Sequence, residues 1–121
     1  MSLPNDFMAS DYQHAAARTL IDAPDFEINP KDFMIIWNAL GLAGEAGEVV
    51  DYIKKGICHQ QGIDRARLAD EIGDVLWYVA ALCTKLDLDL DDVMARNIAK
   101  LHKRFPDGWD AAASARKADE L

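Results

Sequence analysis

Two cysteines, Cys58 and Cys83, are too few to build a disulfide framework, and their spacing matches no thiolate metal site. Cys58-His59 could form one corner of such a site, but nothing in the sequence supplies the other ligands. Both are expected as ordinary reduced thiols. No apolar run approaches the ~18 to 20 residues of a membrane span. The opening residues, MSLPNDFMASDYQ, lack the basic start and apolar stretch of a secretory signal, so a cytoplasmic location without a membrane partner is expected. Basic residues are scarce, 13 against 21 acidic ones, and the net charge is −8. Such a surface excludes a general nucleic-acid binder, because a phosphate backbone demands a basic face. A small anionic ligand stays compatible if metal ions neutralise part of the acid. Repeats, low-complexity segments and sustained strand alternation are also missing, which leaves an all-α class.

What is present reads as one domain over residues 1–121, with a core of about 6–110 and a tail over 111–121. A first helix is expected from Asp6 to Ile21, with Tyr12, Ala16, Thr19 and Leu20 facing inward. DAPDFEINP, with two prolines, is a loop. A second helix follows from Lys31 to Lys55, with Gly56 placed to stop it. A third runs from Asp64 to Leu86. Asp89 is an N-cap for a fourth helix ending near Arg104, with Asp92 in its first turn. Four helices with short connections predict a four-helix bundle-like protomer.

The stretch GLAGEAGEVVDYIKKG places three glycines at intervals of three inside the second helix, each costing roughly 1 kcal/mol relative to alanine. At about 100° per residue, Leu42, Ala46, Val49 and Ile53 form an apolar stripe, and Gly41, Glu45, Glu48 and Tyr52 form the adjacent one. The third helix repeats this scheme. Leu68, Ile72, Val75, Val79 and Leu82 are apolar, and Arg67, Glu71, Asp74 and Tyr78 lie beside them. Acidic pairs at i, i+3 are common on solvated helices. Two pairs, each with an internal glycine and each flanking a core stripe, predict that four carboxylates converge when the helices pack antiparallel. Unpartnered, they would repel and resist desolvation. Hard divalent cations such as Mg²⁺ or Mn²⁺ resolve that conflict. Gly44, Gly47 and Gly73 are then expected to allow close helix approach and room for ions.

On the fourth helix, Met94, Ile98, Leu101 and Phe105 make the apolar stripe, with Asn97, Lys100 and Arg104 along its edge. Lys54 and Lys55 add positive charge at the end of the acidic helix. Arginine and lysine suit phosphate oxygens, although cations near a helix C-terminus also favour the macrodipole. Acids able to hold metal, facing a basic edge, suggest a phosphate ester or anhydride as ligand, with a carboxylate available as general base.

From Tyr12 to Trp109 the chain resembles the MazG-like nucleoside triphosphate pyrophosphohydrolases of the all-α NTP pyrophosphatase superfamily. The resemblance rests on YQHAAART, GLAGEAGEVVDYIKKG, LADEIGDVLWYVAALC and NIAKLHKRFPDGWD, in that order. It implies metal-dependent hydrolysis of nucleoside triphosphates, dNTPs or non-canonical NTPs, to the monophosphate and pyrophosphate. Water would attack the α-phosphorus, with Mg²⁺ as cofactor and Mn²⁺ as substitute. By motif match, Glu45, Glu48, Glu71 and Asp74 would be the catalytic acids and metal ligands. Lys54, Asn97, Lys100 and Arg104 would contact phosphates. Trp37, Asn38, Trp77 and Tyr78 could stack on or hydrogen-bond a base, although Trp77 and Tyr78 at helical spacing also suit packing or a subunit interface. Homodimers or homotetramers are implied, in the service of removing aberrant or surplus nucleotides. Alternatives are a related enzyme acting on phosphoribosyl-ATP, a di-iron carboxylate bundle lacking its usual histidines, and a non-catalytic helical interaction module.

Overall fold

The computed structural model describes residues 5–116, and its regular elements are helical. Helix α1 spans Ala9–Ala16 and tightens into a 3₁₀ turn at Ala17–Thr19. Helix α2 spans Pro30–Cys58, α3 Arg65–Lys85, α4 Leu90–Arg104 and α5 Ala111–Arg116. The all-α reading holds. The tail expected after residue 110 begins as α5, and its last five residues lie outside the described ones.

Helix starts follow from short polar side chains that accept from otherwise orphaned N–H groups. The Asn29 side chain accepts from the Asp32 amide at 2.8 Å, and Pro30 occupies the first turn of α2. Asp64 accepts from Ala66 N at 3.0 Å, and Asp89 accepts from Asp91 N at 2.9 Å. Asp110 caps α5 in the same way, accepting from Ala112 N at 2.9 Å. The α1 expectation was too long at both ends, since the helix itself covers only Ala9–Ala16.

Gly56 does not stop α2, which continues through it to Cys58. Its role lies in the turn that follows. Gly56 is buried, and an added Cβ would stand 2.5 Å from Ile63 Cγ1 and 2.9 Å from the Gly62 carbonyl oxygen. The bare backbone lets the chain fold back on the helix end, where Gly62 N donates to Gly56 O at 3.1 Å. Gly62, at φ 78°, takes the left-handed conformation that this reversal needs. The Tyr52 hydroxyl accepts from Asp64 N at 2.8 Å and ties α2 to the start of α3.

Helices α2 and α3 lie along each other and form the extensively packed pair among the described elements. Most of each stripe is covered: Leu42, Val49, Ile53, Leu68, Val75, Val79 and Leu82 are all at least half-buried, whereas Ala46 and Ile72, expected on the same stripes, are exposed. The other stripes are largely open, although Phe105 at the end of the α4 stripe is half-buried. Met94 is 59% exposed and Ile98 55%, and Tyr12, Ala16, Thr19 and Leu20 are exposed along the α1 segment. Apolar excess also rings α2, where Ile36, Trp37, Leu40 and Val50 stand open. By length and composition α2 is apolar enough to cross a membrane, contrary to the expectation from apolar runs. In this fold that apolarity supplies several faces of one long helix.

Glycine placement also departs from expectation. An added Cβ at Gly44, Gly47 or Gly73 would meet nothing within 4 Å, so these three do not mark close approach within the chain. Close approach occurs at Gly41, where a Cβ would overlap the Tyr78 ring. Tyr78 thus rests directly on the α2 backbone, one turn before Glu45.

Candidate functional site

The antiparallel hairpin sets Glu45 and Glu48 of α2 opposite Glu71 and Asp74 of α3. Glu45, Glu71 and Asp74 each bring one carboxylate oxygen within 4.8 Å of the others, a spacing that one small cation can span. Glu45 Oε2 is sealed from solvent and has no hydrogen-bond partner. Loss of hydration is the main reason that the Glu45 carboxyl is held above its ordinary range, and the charges of Glu48, Asp74 and Glu71 push it further. A buried acceptor without a donor, surrounded by like charges, fits a hard cation and fits no arrangement of the described side chains alone. Glu48 is exposed and stands beside this triad, contributing repulsion and lining a polar cavity of about 390 Å³ with Glu71, Tyr52, Lys55 and Arg67.

On the other side of the triad the surface is aromatic. Trp77 and Tyr78 meet edge to face, with ring centroids 5.0 Å apart, and share a recess with Glu45 and Asp74. Both rings also wall a cavity of about 460 Å³ formed with Met34, Trp37, Asn38 and Thr84. Asn38 is 5% exposed and donates its amide N–H to the Met34 carbonyl at 2.7 Å. That bond fixes which way the amide faces, so its carbonyl is turned from Met34. A polar group held in an otherwise apolar, aromatic hollow is the pattern of a small-molecule pocket.

The expected cations are distributed differently. Lys54 and Lys55 both reach Asp51, at 3.7 and 2.7 Å, and the Lys55 hydrogen bond leads in holding the Asp51 carboxyl below its usual range. Lys54 also borders an apolar hollow with Val50, Ile53 and Ile57, away from the acids. Asn97 and Lys100 are exposed and Arg104 half-buried on α4, a helix that is not extensively packed on the hairpin. Among the described residues, then, the acids and aromatics come together, and Asn97 and Lys100 line neither the triad nor the aromatic pocket. Arg67, which carried no role in the sequence reading, lies with its guanidinium 4.8 Å from the Tyr52 ring centroid and lines the polar cavity. Its position on the Glu71–Asp74 stripe, four residues before Glu71, was the available signal.

Residues 37–109 match the MazG nucleotide pyrophosphohydrolase domain, a span that includes every acid of the site and most of both cavities. The chain belongs to the MazG family. It is also similar to the Gene 37 protein of Mycobacterium phage L5, with 44% identity over 69 residues, covering 54% of this chain and 60% of that relative. The match therefore spans less than two thirds of the relative's length. No solved structure matches. The MazG assignment agrees with an all-α nucleotide pyrophosphohydrolase fold and with an acidic cluster suited to a metal ion.

Proposed function

We propose that this MazG chain hydrolyses nucleoside triphosphates to the monophosphate and pyrophosphate, by attack of water on the α-phosphorus. The observation that carries the reading is the sealed, unpartnered Glu45 Oε2 within a carboxylate triad, adjoining an aromatic pocket that holds a buried amide. Glu45, Glu71 and Asp74 would hold Mg²⁺, or Mn²⁺ in its place, with Glu48 as a fourth carboxylate. The bound metal supplies charge stabilisation at the phosphoryl group. Trp37, Trp77 and Tyr78 would enclose the base, and Asn38 would meet its polar edge. The acidic groups orient the attacking water, and Glu48, outside the tight triad, can accept its proton.

The α4 residues Asn97, Lys100 and Arg104 enter this reading through assembly. The chain exposes 10362 Å², whereas a compact monomer of 13.4 kDa would expose roughly 6,500 Å². Stable association of copies, as a homodimer or homotetramer, would cover the bare stripes and could bring α4 of one copy toward the acids of another. We place the enzyme in the cytoplasm, acting on free nucleotides and on neither nucleic acid nor membrane.

Product analysis over canonical and modified NTPs and dNTPs, with Mg²⁺ and with EDTA, tests the reaction. Monophosphate and pyrophosphate formed only with metal are expected. Diphosphate with orthophosphate would refute attack at the α-phosphorus. Turnover confined to phosphoribosyl-ATP would transfer the site to that substrate, and no turnover at high enzyme concentration would leave a helical interaction module.

A further inference from the structure

We infer that Arg67, seated on Tyr52, is the residue that binds the departing pyrophosphate end of the substrate. This rests on the triphosphate reading above and adds a direction to it. Along the hairpin three surfaces follow in order: the aromatic pocket at Trp77 and Tyr78, the carboxylate triad, and the polar cavity beside the α2–α3 turn. From Tyr78 to Arg67 along α3 is about 16 Å at 1.5 Å per residue, comparable to an extended nucleoside triphosphate. With the base in the aromatic pocket and the α-phosphate at the triad, the β- and γ-phosphates fall in the polar cavity.

That cavity contains two cations, and they differ in commitment. Lys55 is bound to Asp51 at 2.7 Å. Arg67 has no carboxylate within ion-pair distance among the described residues, although Glu71 stands one turn away. Its guanidinium is instead held over the Tyr52 ring, 4.8 Å from the centroid. Tyr52 is itself fixed, because its hydroxyl accepts from Asp64 N at 2.8 Å. The cation–π contact holds the guanidinium at the cavity without consuming its N–H fork, which suits paired phosphate oxygens. The neighbouring acids Glu48 and Glu71 would repel a polyphosphate until a cation neutralises them, so binding at Arg67 should require metal. Hydrolysis at the α-phosphorus breaks the α–β bridging bond, with oxygen from water joining the α-phosphorus and the bridging oxygen leaving on pyrophosphate, beside Arg67.

The test is calorimetric binding of inorganic pyrophosphate with Mg²⁺, and separately of a nucleoside monophosphate with Mg²⁺, to wild type and variants. R67Q should weaken pyrophosphate binding at least tenfold and change monophosphate binding less than twofold, with R67K retaining part of the affinity. Tyr52→Leu should lose pyrophosphate affinity, and Tyr52→Phe should keep it, since the ring provides the seat. Helical circular dichroism checks that each variant is folded. Unchanged pyrophosphate affinity in R67Q, equal weakening of both ligands, or no pyrophosphate binding by wild type would overturn the assignment. Failure of the broader reading is seen separately, as wild-type enzyme that forms no monophosphate and pyrophosphate.

Discussion

Helices α3 and α4 carry the same kind of message and meet different fates. Both start at an aspartate cap, and both repeat an apolar stripe flanked by polar residues that suit a phosphate site. Along α3 the stripe is largely covered by α2, so Glu71 and Asp74 take up fixed positions against Glu45. Along α4 the stripe is open at Met94 and Ile98 and partly covered only toward Phe105, and Asn97 and Lys100 are exposed. Amphipathic spacing decides that a helix needs cover and which face needs it, but not which surface provides it. Here the acids are assembled where cover comes from the same chain; under the proposed association, another copy would cover the remainder.

The strongest way to break this comparison is to remove one acid from the covered side. Glu71→Gln and Glu48→Gln should each lower turnover by at least about a hundredfold, beyond the usual effect of losing an outer-shell partner of a metal. Helicity should persist, because loss of a like charge relieves repulsion. Steady-state kinetics with Mg²⁺ beside circular dichroism reads both, and near-normal turnover in either variant would remove that acid from the essential set. On the open side, Ile98→Asp should shift sedimentation from an assembled mass to that of a 13.4 kDa chain. An unchanged assembled mass in that variant would show that α4 is not the surface that copies share.

Smaller effects sharpen the account of how the hairpin closes. Gly41→Ala puts a methyl group into the Tyr78 ring and should cost about 1 to 3 kcal/mol in denaturant unfolding, as overpacking does. Proton linkage gives a further measure. Glu45 is held above its ordinary range, so the folded state binds that proton more tightly than the unfolded chain, and the charged group destabilises the fold at neutral pH. This cost is relieved as pH falls through the raised folded value. Asp51 acts oppositely: its folded value is lowered, and its stabilisation is lost as pH falls through that value. Mg²⁺ should therefore raise the melting temperature at neutral pH, and the increment should shrink as the medium is acidified and protons compete for the acids. An increment independent of pH, or a melting temperature no higher with Mg²⁺ than with EDTA, would contradict a carboxylate-bound ion.

How much was legible follows the same division. The cap at Asp89 was readable because capping is local chemistry between a side chain and the next turn; the starts of α2 and α3 were placed within a residue or two, while the capping roles of Asn29 and Asp64 came from the structure. The acid pairs were readable as neighbours of the core stripe because i, i+3 spacing fixes a face. Their division into a tight triad and an adjoining Glu48 depends on the relative height of two helices, which no spacing within one helix states. Arg67 was visible as a stripe residue but not as a binding group, since its setting comes from Tyr52 on the other helix. Gly56 looked like a stop because glycine often follows a helix end; here it accommodates the chain returning over it. Lys100 of α4 was visible as a stripe residue, but its helix is not extensively packed on the hairpin, so its spacing alone could not tie it to the acids.

The smallest expected effect concerns the glycines from which the site was first suspected. Gly47→Ala should stabilise the chain by about 0.5 to 1 kcal/mol, since alanine is the better helix former and the added methyl would meet nothing within 4 Å. The same outcome is expected for Gly44→Ala. These substitutions separate two uses of open space. If unfolding stability rises and assembled mass is unchanged, the space belongs to solvent, ions and substrate, and Gly47 is retained for the site alone. If the alanine variants dissociate or lose stability, another copy lies against the glycine face. Close helix approach, absent at Gly44 and Gly47 within one chain, would then occur between chains, and the acidic side of the hairpin would itself be part of an interface.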